Sequence, residues 1–293
     1  YEADRIGIST LSRAGFDPHG MSGFFSKLGR LTRVNGEGPP EFLRTHPVTV
    51  NRIAEAENRA QNMPPAPVSD GLDFYLMQAR IRALLTDKPV ETITWFENRL
   101  EKPLTDAEET AAKYGLAIVL QRRGDYTRAQ GILRDLLDQD PSRLSYQLQV
   151  ANLDLEMEND EEALQRLGRL YHSFPGNHAI AMQYSQGLLA REDPQRAETA
   201  SIILRQQALF RDEDPVLYEL YAKSANIAGD EVRAGEAIAE SYYQRGGIRE
   251  AIEQLEMLTR DHELDYYERA RVSARLLELR VQMVELRDGD QRG

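Results

Sequence analysis

Histidine, cysteine and carboxylate side chains carry most metal and acid–base chemistry, and their spacing here restricts that chemistry sharply. The five histidines, His19, His46, His172, His178 and His262, include no pair four residues apart and no HExxH. No two imidazoles therefore share a helical face from which to seize a zinc ion. The lack of cysteine removes disulfides, iron–sulfur clusters, thiolate zinc sites and thiol nucleophiles. His46 directly precedes Pro47, which makes it a loop residue whose plain role is a backbone hydrogen bond. Asp4 stands at a helix start beside Arg5, with Arg13 further on, and its plain role is an exposed ion pair with either. These residues do not complete a catalytic metal centre, and the chain by itself is expected to be inactive.

The elements that must position them follow from composition and pattern. A length of 293 residues suits two units. The 41% apolar and 29% charged content with a single Trp suits an elongated helical protein with much solvated surface. Residues 1–60 carry a net charge of +1, and the rest carries −13. Such an acidic surface repels phosphate backbones and anionic lipid heads, so nucleic acid and bare membrane are poor partners. No apolar run reaches the roughly 18 residues of a membrane helix. Tyr1-Glu2-Ala3-Asp4 resembles neither an initiator methionine nor a signal peptide, and the chain reads as one truncated at its N-terminus.

Ile6, Leu11, Phe16, Met21, Phe24, Phe25, Leu28 and Leu31 predict two helices broken at Gly15-Phe16-Asp17-Pro18, where Asp17 can cap and Pro18 can open the second helix. A loop of glycine and proline follows, then a short helix begun by Thr45-His46-Pro47 and running through Arg59. The prolines of Asn62-Met63-Pro64-Pro65-Ala66-Pro67 end that helix. The expected division is 1–63, a linker at 64–71, a repeat region over 72–286 and a disordered tail at 287–293.

Beyond the linker the sequence repeats. Gly124-Asp125-Tyr126 leads to Ala129 and then Pro141, and Asn159-Asp160 leads to Ala163 and then Pro175; both intervals are 34 residues. Ala197 lies 34 further on, but Pro215 comes six residues late, which predicts an extended second helix there. Gly229-Asp230 with Ala234 and Gly246-Gly247 with Ala251 lie only 17 apart, so the helix from Glu231 to Gln244 is expected to serve two successive pairs. Phe74–Leu85 and Val90–Leu100 form an opening pair, and Tyr266–Leu286 a closing helix. Small residues at Ala117, Ala129, Ala151 and Ala163 mark where paired helices approach most closely. Thr105-Asp106-Ala107-Glu108 reads as a capping box.

This spacing resembles the tetratricopeptide family, which implies an all-α solenoid, an α/α superhelix, that binds proteins. By repeat offset, Tyr114, Gln121, Asn152, Glu219, Lys223 and Asn226 are outward positions of first helices, expected to line a partner-binding groove or to be ordinary solvated surface.

Ala3-Asp4-Arg5-Ile6-Gly7, Ala14-Gly15-Phe16-Asp17-Pro18, Met21, Phe24-Phe25-Ser26-Lys27-Leu28 and Thr45-His46-Pro47 resemble the downstream helical tail of membrane-protein-associated zinc metallopeptidases. A peptidase tail followed by a tetratricopeptide array resembles the beta-barrel assembly-enhancing protease family. The resemblance implies a periplasmic zinc endopeptidase with chaperone-like activity on outer-membrane proteins, its array docking on clients or on the barrel-assembly machinery. It places the third zinc ligand, a Glu, one residue before Tyr1, so Glu2 is not the ligand and no zinc is expected on this chain alone. It gives Asp4 a second reading, accepting the N–H of a zinc-bound imidazole. It gives His46 a second reading too, contact with the metal or the substrate cleft. The rival is a non-enzymatic tetratricopeptide adaptor in which residues 1–63 merely cap the solenoid.

Overall fold

A computed structural model describes residues 2–34, 50–64, 71–261 and 263–290. Its described residues form fifteen α-helices and no strand, in two compact units, Tyr1–Leu72 and Asp73–Gly293.

The first unit holds α1 (Glu2–Arg13), α2 (His19–Val34) and α3 (Val50–Gln61). α1 ends because Gly15 takes a left-handed φ of +80°, a conformation that costs glycine nothing. α2 starts where Asp17 Oδ1 accepts the His19 amide at 2.9 Å. α3 packs on both α1 and α2 and buries Ala56 and Ala60 with Ile8 and Phe25. Glu57 of α3 reaches α2, accepting from Ser22 Oγ at 2.5 Å and lying 3.1 Å from His19 Nδ1. Thr45, His46 and Pro47, the expected start of the third helix, lie outside the described residues.

The second unit is a tetratricopeptide solenoid. It runs through α4 (Leu72–Leu84), α5 (Pro89–Leu100), α6 (Asp106–Arg122), α7 (Tyr126–Gln139), α8 (Leu144–Glu156), α9 (Asp160–Ser173), α10 (His178–Leu188), α11 (Pro194–Ala208), α12 (Pro215–Ile227), α13 (Glu231–Gln244), α14 (Ile248–Asp261) and α15 (Tyr266–Asp290). From α5 on, each helix packs on the next, the pattern of a stack in which each repeat touches only its neighbours. Ala117, Ala129, Ala151, Ala163 and Ala197 are fully buried, so helices approach to a distance that larger side chains would prevent. Leu133, Leu136, Leu153 and Leu167 fill the layer between them. Thr105 and Glu108 form a complete capping box, and Asp125, Asp193, Asp214 and Asp230 cap the helices that follow them.

Two expectations need correction. α11 is only one residue longer than α9, 15 against 14. Pro215 does not close it but opens α12, capped by Asp214, because a proline lacking N–H fits a first turn better than a helix end. α15 continues to Asp290, four residues past the expected stop. α13 packs on both α12 and α14, and Arg271 and Arg275 of α15 fork onto its Glu236 and Glu240 at 2.8 and 2.6 Å.

Candidate functional site

In the first unit the candidate carboxylate is held by a partner distant in sequence. Arg52 Nε donates to Asp4 Oδ2 at 2.8 Å and Nη2 to Oδ1 at 2.7 Å. The same guanidinium lies 4.7 Å from the Phe25 ring centroid, so one arginine ties α3 to α1 and α2 together. Its hydrogen bonds hold the Asp4 carboxyl below the usual carboxylate range. Arg5, one expected partner, instead pairs with Glu2. The sequence does carry Arg52 in the Thr45–Arg59 stretch, but nothing in linear spacing joins it to Asp4. His46 lies outside the described residues. Among the described residues no three His, Asp or Glu side chains gather to hold a metal.

In the array, the first helices carry a polar ladder. Arg80 of α4 donates to the Tyr114 hydroxyl at 3.1 Å and to Gln149 Oε1 at 3.0 Å. Gln149 Nε2 donates to Gln121 Oε1 at 2.7 Å, and Gln121 Nε2 to Glu156 Oε1 at 2.8 Å. Tyr114 and Gln121, expected to face outward, are 1% and 2% exposed. They are glue between α4, α6 and α8 rather than open groove wall, because a buried amide or phenol must find its partners within the fold. Burial pushes the Tyr114 hydroxyl above the usual tyrosine value. Arg80 and Gln149 were missed, although Arg80 stands 34 residues before Tyr114, one full repeat.

Asn152 is half-buried, and Glu219, Lys223 and Asn226 are exposed on α12. Glu219 is paired with Arg245. Tyr266 and Tyr267, at the start of α15, are largely exposed. Among the described residues no helix is long and apolar enough to cross a membrane.

Comparison with known proteins bears on both units. Residues 1–60 match Peptidase family M48, and residues 111–142 match the tetratricopeptide repeat. A beta-barrel assembly-enhancing protease of Escherichia coli (strain K12) is 30% identical over 286 residues, 95% of this chain. The chain is a relative of the beta-barrel assembly-enhancing proteases. The protein of that name from Yersinia pestis is likewise 30% identical, over 279 residues. The chain spans 56% of the length of each of these beta-barrel assembly-enhancing proteases. Among solved structures, a thermophilic TPR protein from Thermus thermophilus aligns with a TM-score of 0.38 and 19% identity, covering 57% of this chain and 99% of its own.

Proposed function

We propose that this chain is part of a periplasmic zinc metalloendopeptidase with chaperone-like activity in outer-membrane protein assembly and quality control, its array holding clients or the barrel-assembly machinery. One observation carries the reading: a stretch matching Peptidase family M48 is joined to a tetratricopeptide array in a chain similar along 95% of its length to proteins named beta-barrel assembly-enhancing protease. A plain adaptor gives no reason for the first match.

A catalytic zinc needs three protein ligands. In this reading the residues of the first unit act by position. A carboxylate has about four acceptor sites, so accepting two bonds from Arg52 is compatible with Asp4 also orienting an imidazole from elsewhere in the enzyme. Arg52 then fixes the carboxylate, and the array raises the effective concentration of a bound client at the peptidase. The exposed Lys223 and Asn226, with Asn152 and Glu219, are the candidate contacts.

The test uses the full-length protein. Expected are bound zinc, cleavage of an unfolded outer-membrane β-barrel protein, and weaker client retention in pull-down after Lys223→Glu with Asn226→Ala. A full-length protein that binds no zinc and cleaves no polypeptide leaves the adaptor reading in its place.

A further inference from the structure

Among the described helices α15 is the longest, 25 residues against 17 for α6, and it is apolar on two opposite sides. The inner side buries Val272 and Leu279, with Leu276 and Met283 packed on the same cluster of α13 and α14 residues. The outer side carries Tyr267, Ala270, Ala274, Leu277, Val281 and Val284, all exposed, Leu277 by 65% and Val281 by 51%. A helix turns about 100° per residue, which sets Leu277 roughly opposite Leu279, so one neighbour cannot cover both stripes. The outer face of a helical stack's end is ordinarily polar, which keeps the stack soluble. The last described helix of this stack instead carries an apolar stripe along its outer side.

The spacing of that stripe is not that of scattered surface residues. Its steps are 3, 4, 3, 4 and 3 residues, the a/d repeat by which one helix meets another along a seam. Tyr267, Ala274 and Val281 take the a positions, and Ala270, Leu277 and Val284 the d positions. A β-branched residue at a with Leu at d, as in Val281 and Leu277, favours two parallel strands. The flanking charges make the seam complementary to itself. In a parallel pair each g side chain faces the next e side chain of the partner helix, which sets Arg280 of one copy against Glu285 of the other, twice across the seam. Arg280 gives Nη2 to Glu256 at 2.6 Å, and a guanidinium has further donors. An antiparallel pair would set Arg280 against Arg280 and Glu278 against Glu278. The opposite charges it could offer, Arg271 with Glu285, call on a guanidinium already forked onto Glu236.

We propose that α15 is a homodimerisation helix: two copies of this chain pair through parallel α15 helices, with Leu277, Val281 and Val284 in the seam and Arg280–Glu285 ion pairs along both flanks. The helix is already formed and anchored on α13 and α14, so pairing orders little that is not ordered beforehand. The seam is short and has alanine at two of its six positions, which makes the pair a reversible dimer and not an obligate one. The pairing does not depend on what the array binds. Under the proposed holding role, two joined arrays would offer one client two contacts, the second formed at high effective concentration.

Sedimentation equilibrium of the full-length protein and of this chain tests the proposal. Both are expected to show a monomer–dimer equilibrium. Leu277→Glu and Val281→Glu replace exposed side chains and should leave circular dichroism unchanged, while each raises the dimer dissociation constant about tenfold or more. Arg280→Glu should weaken the dimer, and Arg280→Glu combined with Glu285→Arg should restore it. Because the chain has no cysteine, Leu277→Cys supplies a single thiol, and mild oxidation should link the dimer through facing d positions. Monomers at every concentration overturn the proposal, as does a dimer that survives both glutamates. A chain that dimerises while the full-length protein stays monomeric overturns it too, and assigns the stripe to another part of the enzyme. Mass that keeps growing with concentration overturns it in favour of end-to-end stacking on the exposed Phe74, Met77 and Ile81 of α4. A dimer that the charge exchange does not restore, or that Leu277→Cys does not link, overturns the parallel order and the proposal with it.

Discussion

Gly115 and Gly131 sit in consecutive helices, and the same substitution should move them in opposite directions. Gly115→Ala drives a methyl against Phe96 and Ala79 and is expected to cost about 1–3 kcal/mol of overpacking. Gly131→Ala meets open space and should gain about 0.5–1 kcal/mol. Urea unfolding of the two variants reads both signs. Glu158 occupies the turn that Gly124 fills one repeat earlier, with a left-handed φ of +63°, so Glu158→Gly should relieve strain and raise the midpoint. Two aspartates give opposite pH signatures. The Asp4 carboxyl is held low by Arg52, so its contribution is fully present above the unfolded-state value, about 3.9, and is lost as pH falls through the folded value. Burial raises Asp154, so stability there is greatest when it is protonated and declines as pH rises through the folded value. Asp154→Asn should flatten that decline, and Asp4→Asn should remove the acid-side loss, both followed by unfolding across the carboxylate range.

At the scale of elements, α4, α6 and α8 are joined by polar groups where an apolar seam would be expected. Gln149 is both donor and acceptor in that ladder. Gln149→Leu leaves Gln121 and Arg80 each short of a partner and should cost about 1–3 kcal/mol, seen in the thermal midpoint. Between α8 and α9 the constraint is volume. Ala163 is fully buried, and Ala163→Leu is expected to pry the pair apart at about 1–3 kcal/mol. The bond between α1 and α3 is neither apolar nor local: Arg52→Met keeps contact with Phe25 but leaves Asp4 without its fork, which should lower the stability of the first unit specifically.

Across the whole array, stability is a property of neighbours. From α5 on, consecutive helices pack in series, so a lesion should be felt nearby and fade with distance. Hydrogen exchange of Ala163→Leu is expected to show lost protection in α8, α9 and α10 and near-native protection in α14. Uniform loss along the array would instead mean a single cooperative core. The graded picture suits the proposed holding role, since segments can then adjust to a bound protein without unfolding their neighbours. The chain's net charge of −12 works against association with nucleic acid or anionic lipid.

By itself the sequence determined the helical class and most helix limits. Gly-Asp turns, the Thr105 capping box and alanines 34 residues apart act within a turn or across one helix pair, and short-range physics is written in linear spacing. Residues 1–60 also carried their peptidase likeness in plain motifs. Tertiary structure alone decided that Arg52 seizes Asp4 across 48 positions, that Tyr114 and Gln121 turn inward, and that Pro215 begins a helix. It alone left Leu277, Val281 and Val284 uncovered on α15. Those outcomes depend on which faces of helices distant in sequence come together, and a repeat period fixes the order of helices in the stack without fixing which polar side chains their packing will bury.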